Sequence, residues 1–82
     1  MAHSDKARGR DFLIALGKRI IYLRKEHKLS QVELAYRCGF EKPNMRRIEA
    51  GMTNPTSLTL LKLSDGLRVP VKELFDFDLP PK

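Results

Sequence analysis

Two short stretches of helical periodicity, joined by only Gly39 and Phe40, constrain the fold of this chain more than any other feature. The first opens on Ser30-Gln31-Val32-Glu33, a capping box in which the serine and glutamate side chains each satisfy an orphan backbone N–H. It ends at Gly39, because glycine readily adopts the left-handed conformation that closes a helix. The second covers residues 41–51, with Pro43 in its first turn, where the missing N–H costs no hydrogen bond. Neither helix is long enough to be stable alone, so both must pack into a common core.

Three further helices are predicted around this pair. In residues 11–27 apolar side chains recur at steps of three and four, which is the spacing of one helix face. They are Leu13, Leu16, Ile20 and Leu23. A fourth helix over residues 57–67 carries Leu60, Leu61, Leu63 and Leu67, and a short fifth helix covers residues 71–75. No segment has the alternation of a strand, so the sequence predicts an all-α fold of five helices.

The length and apolar content set the domain organisation. With 82 residues, of which 41% are hydrophobic, the chain can bury one modest core and no second one. We expect one domain over residues 11–76. Residues 1–10, with Lys6, Arg8 and Arg10, are predicted to be a flexible basic arm, and residues 77–82 a C-terminal tail.

Positive charge is concentrated at the N-terminal end. The net charge is +6, and the first 28 residues contain eight basic and three acidic side chains, whereas the last 26 contain four of each. Such a surface favours phosphate-bearing partners or an acidic membrane. No apolar run approaches the roughly 20 residues of a membrane span, and no signal-peptide pattern is present. A single cysteine, Cys38, excludes an internal disulfide and fits a reducing cytosol. We therefore expect a cytoplasmic protein with no membrane partner, and a nucleoid-associated one if its phosphate-bearing partner is DNA.

The sharp turn between the second and third helices is the geometry of a helix-turn-helix, whose second helix enters the DNA major groove. Residues 31–50 fit its spacing, with Ala35 where the helices cross, Gly39 in the turn, and Met45 and Ile48 inside. The likeness goes further than the motif: residues 16–75 resemble the phage-repressor-like (Cro/C1, or Xre) DNA-binding domains, which have a compact five-helix, lambda-repressor-like fold. The residues that carry the resemblance are Leu29-Ser30-Gln31, Leu34-Ala35, Gly39, Ile48-Glu49, Gly51, Asn54-Pro55, Leu60-Leu61-Lys62-Leu63, Val69 and Glu73-Leu74-Phe75.

The resemblance implies a sequence-specific transcriptional regulator, a repressor or autoregulator, that binds an operator in double-stranded DNA as a homodimer. Residues 41–50 would be its recognition helix. Because Met45 and Ile48 face inward, the other side chains of this helix point outward. An arginine fork suits guanine, and asparagine suits adenine. The base-reading candidates are Lys42, Pro43, Asn44, Arg46 and Arg47. Outside such a motif the same residues would be a solvated surface.

Two residues depart from the family pattern. Glu41 stands where the family usually has a Ser, Thr or Asp N-cap, and glutamate caps poorly. Pro43 stands where a polar base-reading residue is common, and it can offer only apolar contact, for example to a thymine methyl group. Both affect the expected recognition code and leave the DNA-binding prediction intact.

Five residues are predicted to contact phosphate or to brace the recognition helix. In similar domains a glutamine at the position of Gln31 braces DNA phosphate and a recognition-helix side chain, and the loop that contains Thr53 and Asn54 binds phosphate. Lys18 and Arg19 are expected to bind phosphate regardless of base sequence. Gln31 could instead be an ordinary first-turn residue, and Asn54 a turn former before proline.

The resemblance also suggests a structural ion pair and a dimer surface. Arg24 and Glu49 match positions that commonly pair across the first and third helices. Similar proteins often dimerise through their last helices, and the candidates for this surface are Leu58, Val71, Phe75, Phe77 and Leu79. We expect Phe75 to complete the core. Phe77 and Leu79 are the better interface candidates, with a tail folded back on its own domain as the alternative.

No enzyme chemistry is apparent in the sequence. His3 and His27 have no partners at metal-ligand spacing, Cys38 falls on a buried helix face, and no phosphate-binding glycine loop is present. We predict no catalytic residue, cofactor or metal. The alternative to a DNA-binding regulator is a protein-interaction module, such as an antitoxin-type partner-binding protein with little sequence readout. Exposed lysine and arginine on the third helix argue against a purely protein-binding role, because protein interfaces are depleted in lysine.

Overall fold

Four α-helices and one 3-10 helix follow one another in the computed structural model, which describes residues 5–81. They are α1 (Asp5–Glu26), α2 (Gln31–Cys38), α3 (Lys42–Glu49), α4 (Ser57–Leu67) and the 3-10 helix η1 (Val71–Phe75). No strand occurs within the described residues. The predicted all-α fold is therefore confirmed, with the difference that the fifth helix is a 3-10 helix.

The start of α1 corrects a predicted boundary. The helix begins at Asp5 and not near Asp11, so residues 5–10, assigned to a flexible arm, are helical. Contacts from the far end of the chain support these turns: the Arg8 guanidinium donates a hydrogen bond to the Pro80 carbonyl oxygen. The rest of the predicted arm, residues 1–4 with His3, and the last residue, Lys82, lie outside the described residues.

Local capping sets the turn between α2 and α3. The Ser30 hydroxyl accepts a hydrogen bond from the Glu33 N–H at 3.0 Å, and the Glu33 carboxylate accepts one from the Ser30 N–H at 2.8 Å, so the predicted capping box is confirmed. Gly39 closes α2 at φ 70°, which a residue with a Cβ adopts only under strain. Glu41 is the N-cap of α3 and makes no side-chain capping bond. The two helices therefore meet at a sharp, pre-formed angle.

The core lies where all five helices meet. α3 packs against both α1 and α2, α4 packs against α2 and η1, and η1 closes the fold against α1. The fully buried large side chains come from every helix and are Ile20, Leu34, Met45, Leu63, Leu67 and Leu74. α3 is thus held from two sides, and the rest of its surface is exposed.

Near the C-terminal end, Phe75 differs from its predicted burial, Phe77 follows the alternative of a folded-back tail, and one leucine of α4 faces solvent. Leu61 is 47% exposed, because Leu60, Leu63 and Leu67 already fill the inward face of α4. Phe75, expected in the core, is 38% exposed, since in η1 the adjacent Leu74 takes the buried position. Phe77 packs against the core instead of lying beyond the fold.

Candidate nucleic-acid interface

The outer face of α3 carries the predicted base-reading residues. Lys42, Pro43, Arg46 and Arg47 are exposed, and Asn44 is half-buried. The three inward residues are Met45, Ile48 and Glu49. Outward and inward residues alternate as a helix of 3.6 residues per turn requires. Every candidate from the sequence therefore lies on the solvent side or at its edge.

The cations on this face have no acidic partner within the described residues. Neither Lys42, Arg46 nor Arg47 takes part in any ion pair within residues 5–81. Arg46 and Arg47 lie in the last turn of α3, where their charge also complements the helix dipole. Three unpaired positive charges on eight residues form a local field that attracts phosphate.

Glu49 joins the three helices around the interface. Its carboxylate accepts hydrogen bonds from Arg24 Nε and Nη2 of α1, at 2.7 and 3.1 Å, and from Gln31 Nε2 of α2, at 2.8 Å. Only 4% of the Glu49 side chain and 12% of the Arg24 side chain are exposed. Arg24 donates a further bond to the Leu29 carbonyl at 3.0 Å. A bidentate, largely buried pair of this kind fixes geometry, so it sets the angle at which α3 is presented.

The predicted phosphate contacts Gln31 and Lys18 differ in their surroundings. Gln31, at the first position of α2, is half-buried and donates a hydrogen bond to Glu49 of α3. Lys18 is exposed on α1 and has no ion-pair partner among residues 5–81. Its position leaves its ammonium group available to an outside anion.

The environment of Arg19 corrects its assignment as a phosphate contact. Its guanidinium donates to the Glu73 carbonyl oxygen at 2.8 Å and to the Glu73 carboxylate at 3.0 Å, and it lies 3.6 Å from the Asp76 carboxylate. It also lies over the ring of Tyr22, 5.1 Å from the centroid. With its side chain only 15% exposed, Arg19 fastens α1 to η1.

The loop between α3 and α4 holds the other predicted phosphate contacts. Thr53 is half-buried and Asn54 is exposed. The loop leaves α3 through Gly51, whose φ of 72° directs the chain back across α1. Thr53 and Asn54 thus lie directly beyond the C-terminal end of α3.

Exposed apolar side chains are present on α4 and η1. Leu58 is 69% exposed, and Leu61, Val71 and Phe75 are also exposed. The predicted candidates Phe77 and Leu79 are half-buried instead, and Phe77 lies against Phe12 with ring centroids 5.7 Å apart. The tail therefore covers its own domain, which was the alternative considered from the sequence.

Residues 5–81 offer little for other chemistry. Within this range no group of three or more His, Cys, Asp and Glu side chains could hold a metal ion. Burial raises the pKa of the Cys38 thiol to about 11, despite the opposing charge of Lys62. No helix in the described part is both long and apolar enough to cross a membrane.

Comparison with known proteins decides the family. The helix-turn-helix profile HTH_3 matches residues 20–74, a range that contains α2, α3 and α4 whole. The chain belongs to the HTH_3 helix-turn-helix family. This is the Xre/Cro-C1-like family that the sequence resembles, so that prediction is confirmed. HTH_3 proteins are DNA-binding transcription regulators and not a class of enzymes.

Two curated relatives are named as regulators. The chain is 38% identical over 61 residues to an uncharacterized HTH-type transcriptional regulator of Haemophilus influenzae, a match that spans 74% of this chain and 62% of that protein. It is 37% identical over 59 residues to an uncharacterized HTH-type transcriptional regulator of Sinorhizobium fredii, spanning 72% of this chain and 77% of the relative. The chain thus matches less than two thirds of the Haemophilus protein.

Solved structures are similar in fold and sequence. The restriction-modification controller protein C.AhdI from Aeromonas hydrophila superposes with a TM-score of 0.75 at 33% identity, over 77% of this chain and 96% of that one. An HTH_3 family transcriptional regulator from Vibrio cholerae superposes with a TM-score of 0.77 at 30% identity, over 82% of this chain and 38% of that one.

One candidate interface residue of this HTH_3 domain was missed in the sequence. The sequence prediction places Leu61 on α4 but does not include it among the interface candidates. Helical spacing does separate the leucines into two faces: residues 60, 63 and 67 share one, and residues 58 and 61 share the other. That second stripe was the available signal for an exposed apolar surface.

Proposed function

We propose that this HTH_3 protein is a sequence-specific regulator of transcription, a repressor or autoregulator, that binds an operator in double-stranded DNA as a homodimer. The observation that carries the proposal is the exposed, unpaired cationic face of α3, held by the buried bond network of Glu49. A fixed helix with free cations is what major-groove recognition requires, because base contacts demand a defined register.

Each outward residue of α3 has a base or phosphate chemistry that suits it. Arg46 and Arg47 can each bind guanine O6 and N7 through two hydrogen bonds, and Asn44 can pair with the N6 and N7 of adenine. Lys42 can bind guanine or a phosphate, and Pro43 can contact a thymine methyl group. These residues are the proposed source of sequence preference.

The proposed phosphate contacts come from the two helices that pack against α3 and from the loop that follows it. Gln31 and Lys18 approach from α2 and α1, and Thr53 and Asn54 from the loop after α3. Contacts of this kind fix the orientation of the protein on the duplex and carry no direct sequence information. Arg19 is not a proposed phosphate contact, because its guanidinium pairs with the carboxylates of Glu73 and Asp76.

A homodimer would cover the apolar surface on α4 and η1. Leu58 and Leu61 stand three residues apart on α4, and Val71 and Phe75 are exposed on η1, which packs against α4. Covering exposed apolar side chains contributes about 25 cal/mol per Å² of apolar area removed from water, which opposes the entropic cost of association. Two copies so joined would place their recognition helices on half-sites about one helical turn, ~34 Å, apart.

Selection of bound duplexes from a random DNA pool, near physiological salt, tests the whole proposal. We expect enrichment of an inverted repeat with about ten base pairs between half-site centres. Salt-sensitive binding without any enriched sequence would overturn sequence-specific regulation. The protein-interaction module would then become the leading function, and the next experiment would be a search for its partner.

The role of α3 is tested by Arg47→Ala on the selected site. We expect a loss of about 1–3 kcal/mol and relaxed preference at one base position. Lys72→Ala on η1 removes one exposed charge away from α3 and serves as the control. If R47A and K72A weaken binding equally and leave the base preference unchanged, Arg47 does not contact a base.

The dimer surface is tested by Leu58→Ser. Sedimentation across a range of protein concentrations should find the wild type dimeric and L58S shifted toward monomer. Tyr36→Ser on α2 is the matched control, because Tyr36 is 86% exposed but lies outside the α4–η1 surface. A wild type that stays monomeric at every concentration with and without DNA would contradict the homodimer.

A further inference from the structure

One face of α1 approaches the end of the recognition helix. A Cβ on Gly17 would lie 2.4 Å from the Glu49 carbonyl oxygen, so the two backbones are in direct contact there. One turn earlier, the backbone of Ile14 lies against Gly51, where an added Cβ would be 2.7 Å from the Ile14 Cα. Continuing toward the N-terminus in steps of four, the same face carries Arg10 and Lys6. These two cations therefore project on the side of α1 that faces the recognition helix.

Beyond Ile14 the two elements separate and leave an open cleft of about 620 Å³. One wall is formed by the first turns of α1 and the other by the end of α3 and the loop after it. Lys6, Arg10 and Ile14 line the cleft from α1, and Ala50, Thr53 and Asn54 line it from the other side. Lys6 and Arg10 are exposed and have no ion-pair partner within residues 5–81, and they outnumber the one carboxylate, Asp5.

The cleft is continuous with the outer face of α3. Ala50, which lines it, follows Arg47 by three residues and so lies on the same side of the helix. Asn54 and Thr53, the proposed phosphate contacts, form its opposite wall. A duplex that accepts α3 in its major groove would therefore bring backbone phosphates toward the mouth of the cleft.

The cationic turns are held in place from the far side of α1. Arg8 is bonded to the Pro80 carbonyl, and the Phe12 ring stacks on Phe75, with centroids 6.3 Å apart, and leans on Phe77. An ordered helix positions two charges with less entropic cost than a flexible arm would, because fewer rotatable bonds are fixed on binding.

We propose that this cleft is an additional site for the DNA backbone, in which Lys6 and Arg10 bind phosphates together with Thr53 and Asn54. The inference rests on the proposed DNA-binding function and extends its footprint from α2, α3 and the loop to the first turns of α1. Phosphate contacts in the cleft would increase affinity for DNA of any base sequence, and the preference for particular bases would come from α3.

The salt dependence of binding tests this site. Each phosphate contact contributes about 0.9 to the slope of log K against log salt concentration. The double variant Lys6→Ala/Arg10→Ala should therefore make this negative slope shallower by about 1.8 and weaken binding roughly 30-fold at 0.15 M salt, on selected and arbitrary duplexes alike. Lys62→Ala/Lys72→Ala removes two exposed charges from α4 and η1 and is the matched control, with the oligomeric state of each variant measured alongside.

The outcomes separate this site from the proposed function. If the double variant keeps the wild-type slope, or changes it no more than the control does, the cleft does not bind phosphate, even where the wild type selects an operator. If the slope becomes shallower as expected but the wild type selects no sequence, the cleft is a backbone site in a protein that does not recognise an operator.

A single neutral methylphosphonate linkage, moved along the duplex, locates the contact. At the phosphate that Arg10 binds, wild-type affinity should fall about fivefold, while R10A should lose nothing further at that position. Equal losses for wild type and R10A at every position would overturn the assignment. Alanine is a better helix former than lysine or arginine at exposed positions, so the variants should stay folded, and thermal unfolding checks this.

Discussion

The close approach of α1 to α3 makes Gly17→Ala a demanding test of the packing. The added Cβ would meet three backbone atoms of α3: the Glu49 carbonyl oxygen at 2.4 Å, and the Glu49 carbonyl carbon and Ile48 carbonyl oxygen at 2.8 Å. Comfortable carbon contacts lie at about 3.5–4.0 Å, so the helices would have to separate by roughly 1 Å. None of the three atoms belongs to a flexible side chain that could turn aside.

The expected change in the free energy of unfolding of Gly17→Ala is the difference between two opposing contributions. Overpacking costs about 1–3 kcal/mol, and a backbone clash puts this site at the upper end. Alanine is favoured over glycine inside a helix by up to about 1 kcal/mol. The net loss of unfolding free energy should be about 2 kcal/mol, which lowers the melting temperature by roughly 8–16 °C in a domain of this size.

Gly9→Ala is the matched control on the same helix. Its Cβ would have no heavy atom within 4 Å, so only the helix-propensity gain remains, and the variant should be more stable than wild type by up to about 1 kcal/mol. Thermal and urea unfolding, followed by circular dichroism at one protein concentration, measures both. If G17A is as stable as G9A, the contact between α1 and α3 is not as tight as described.

Three further predictions concern the network, the caps and the cysteine. Glu49→Ala should lower the free energy of unfolding, measured in urea, by about 3 kcal/mol, because it leaves Arg24 largely buried and unpaired. The double variant Arg24→Met/Glu49→Met should recover much of that loss. A double variant no more stable than E49A would contradict the argument. Hydrogen bonds from the Ser30 backbone N–H and, to a smaller extent, from its hydroxyl lower the pKa of Glu33 below its ordinary 4.5. The stability that this provides above pH 4.5 should therefore be lost as the pH falls through the folded-state pKa. Glu33→Gln should flatten this part of the plot of stability against pH. Because Cys38 is buried and burial raises the pKa of its thiol to about 11, the thiol should react with a disulfide reagent at pH 8 only when the surrounding helices open, so a fast reaction that does not depend on urea would refute its burial.

Local signals account for the parts of the fold that the sequence predicts well. The capping box at Ser30, the left-handed Gly39 and the leucine spacing of α4 lie within a few residues of the boundaries they define. Such signals act through neighbouring backbone groups and need no knowledge of the rest of the chain. The bounds of α2 and α4 were predicted correctly for this reason.

Contacts between distant segments account for the parts of the fold that the sequence does not predict. The first turns of α1 lack an apolar repeat, and what supports them is the C-terminal segment, through Arg8 and Pro80. From the sequence alone Arg19 is predicted to be an exposed cation, because its partner Glu73 is 54 residues away in the chain. The spacing of residues within one helix cannot predict contacts between segments so far apart in the chain.

The candidate site divides in the same way. The outward face of α3 follows from Met45 and Ile48 alone, since they set which side is buried. The pairing of Arg24 with Glu49 came from family resemblance and not from spacing. The cleft beside Lys6 was missed because it exists only where α1 and the loop after α3 meet.

The division of α3 into two sets of side chains has an evolutionary consequence. Met45, Ile48 and Glu49 hold the helix, while its other five residues make no contribution to the buried core. Surface substitutions usually change stability by less than about 0.5 kcal/mol. If α3 reads bases as proposed, descendants of this chain can acquire new target sites by changing outward residues one at a time, without passing through an unstable intermediate.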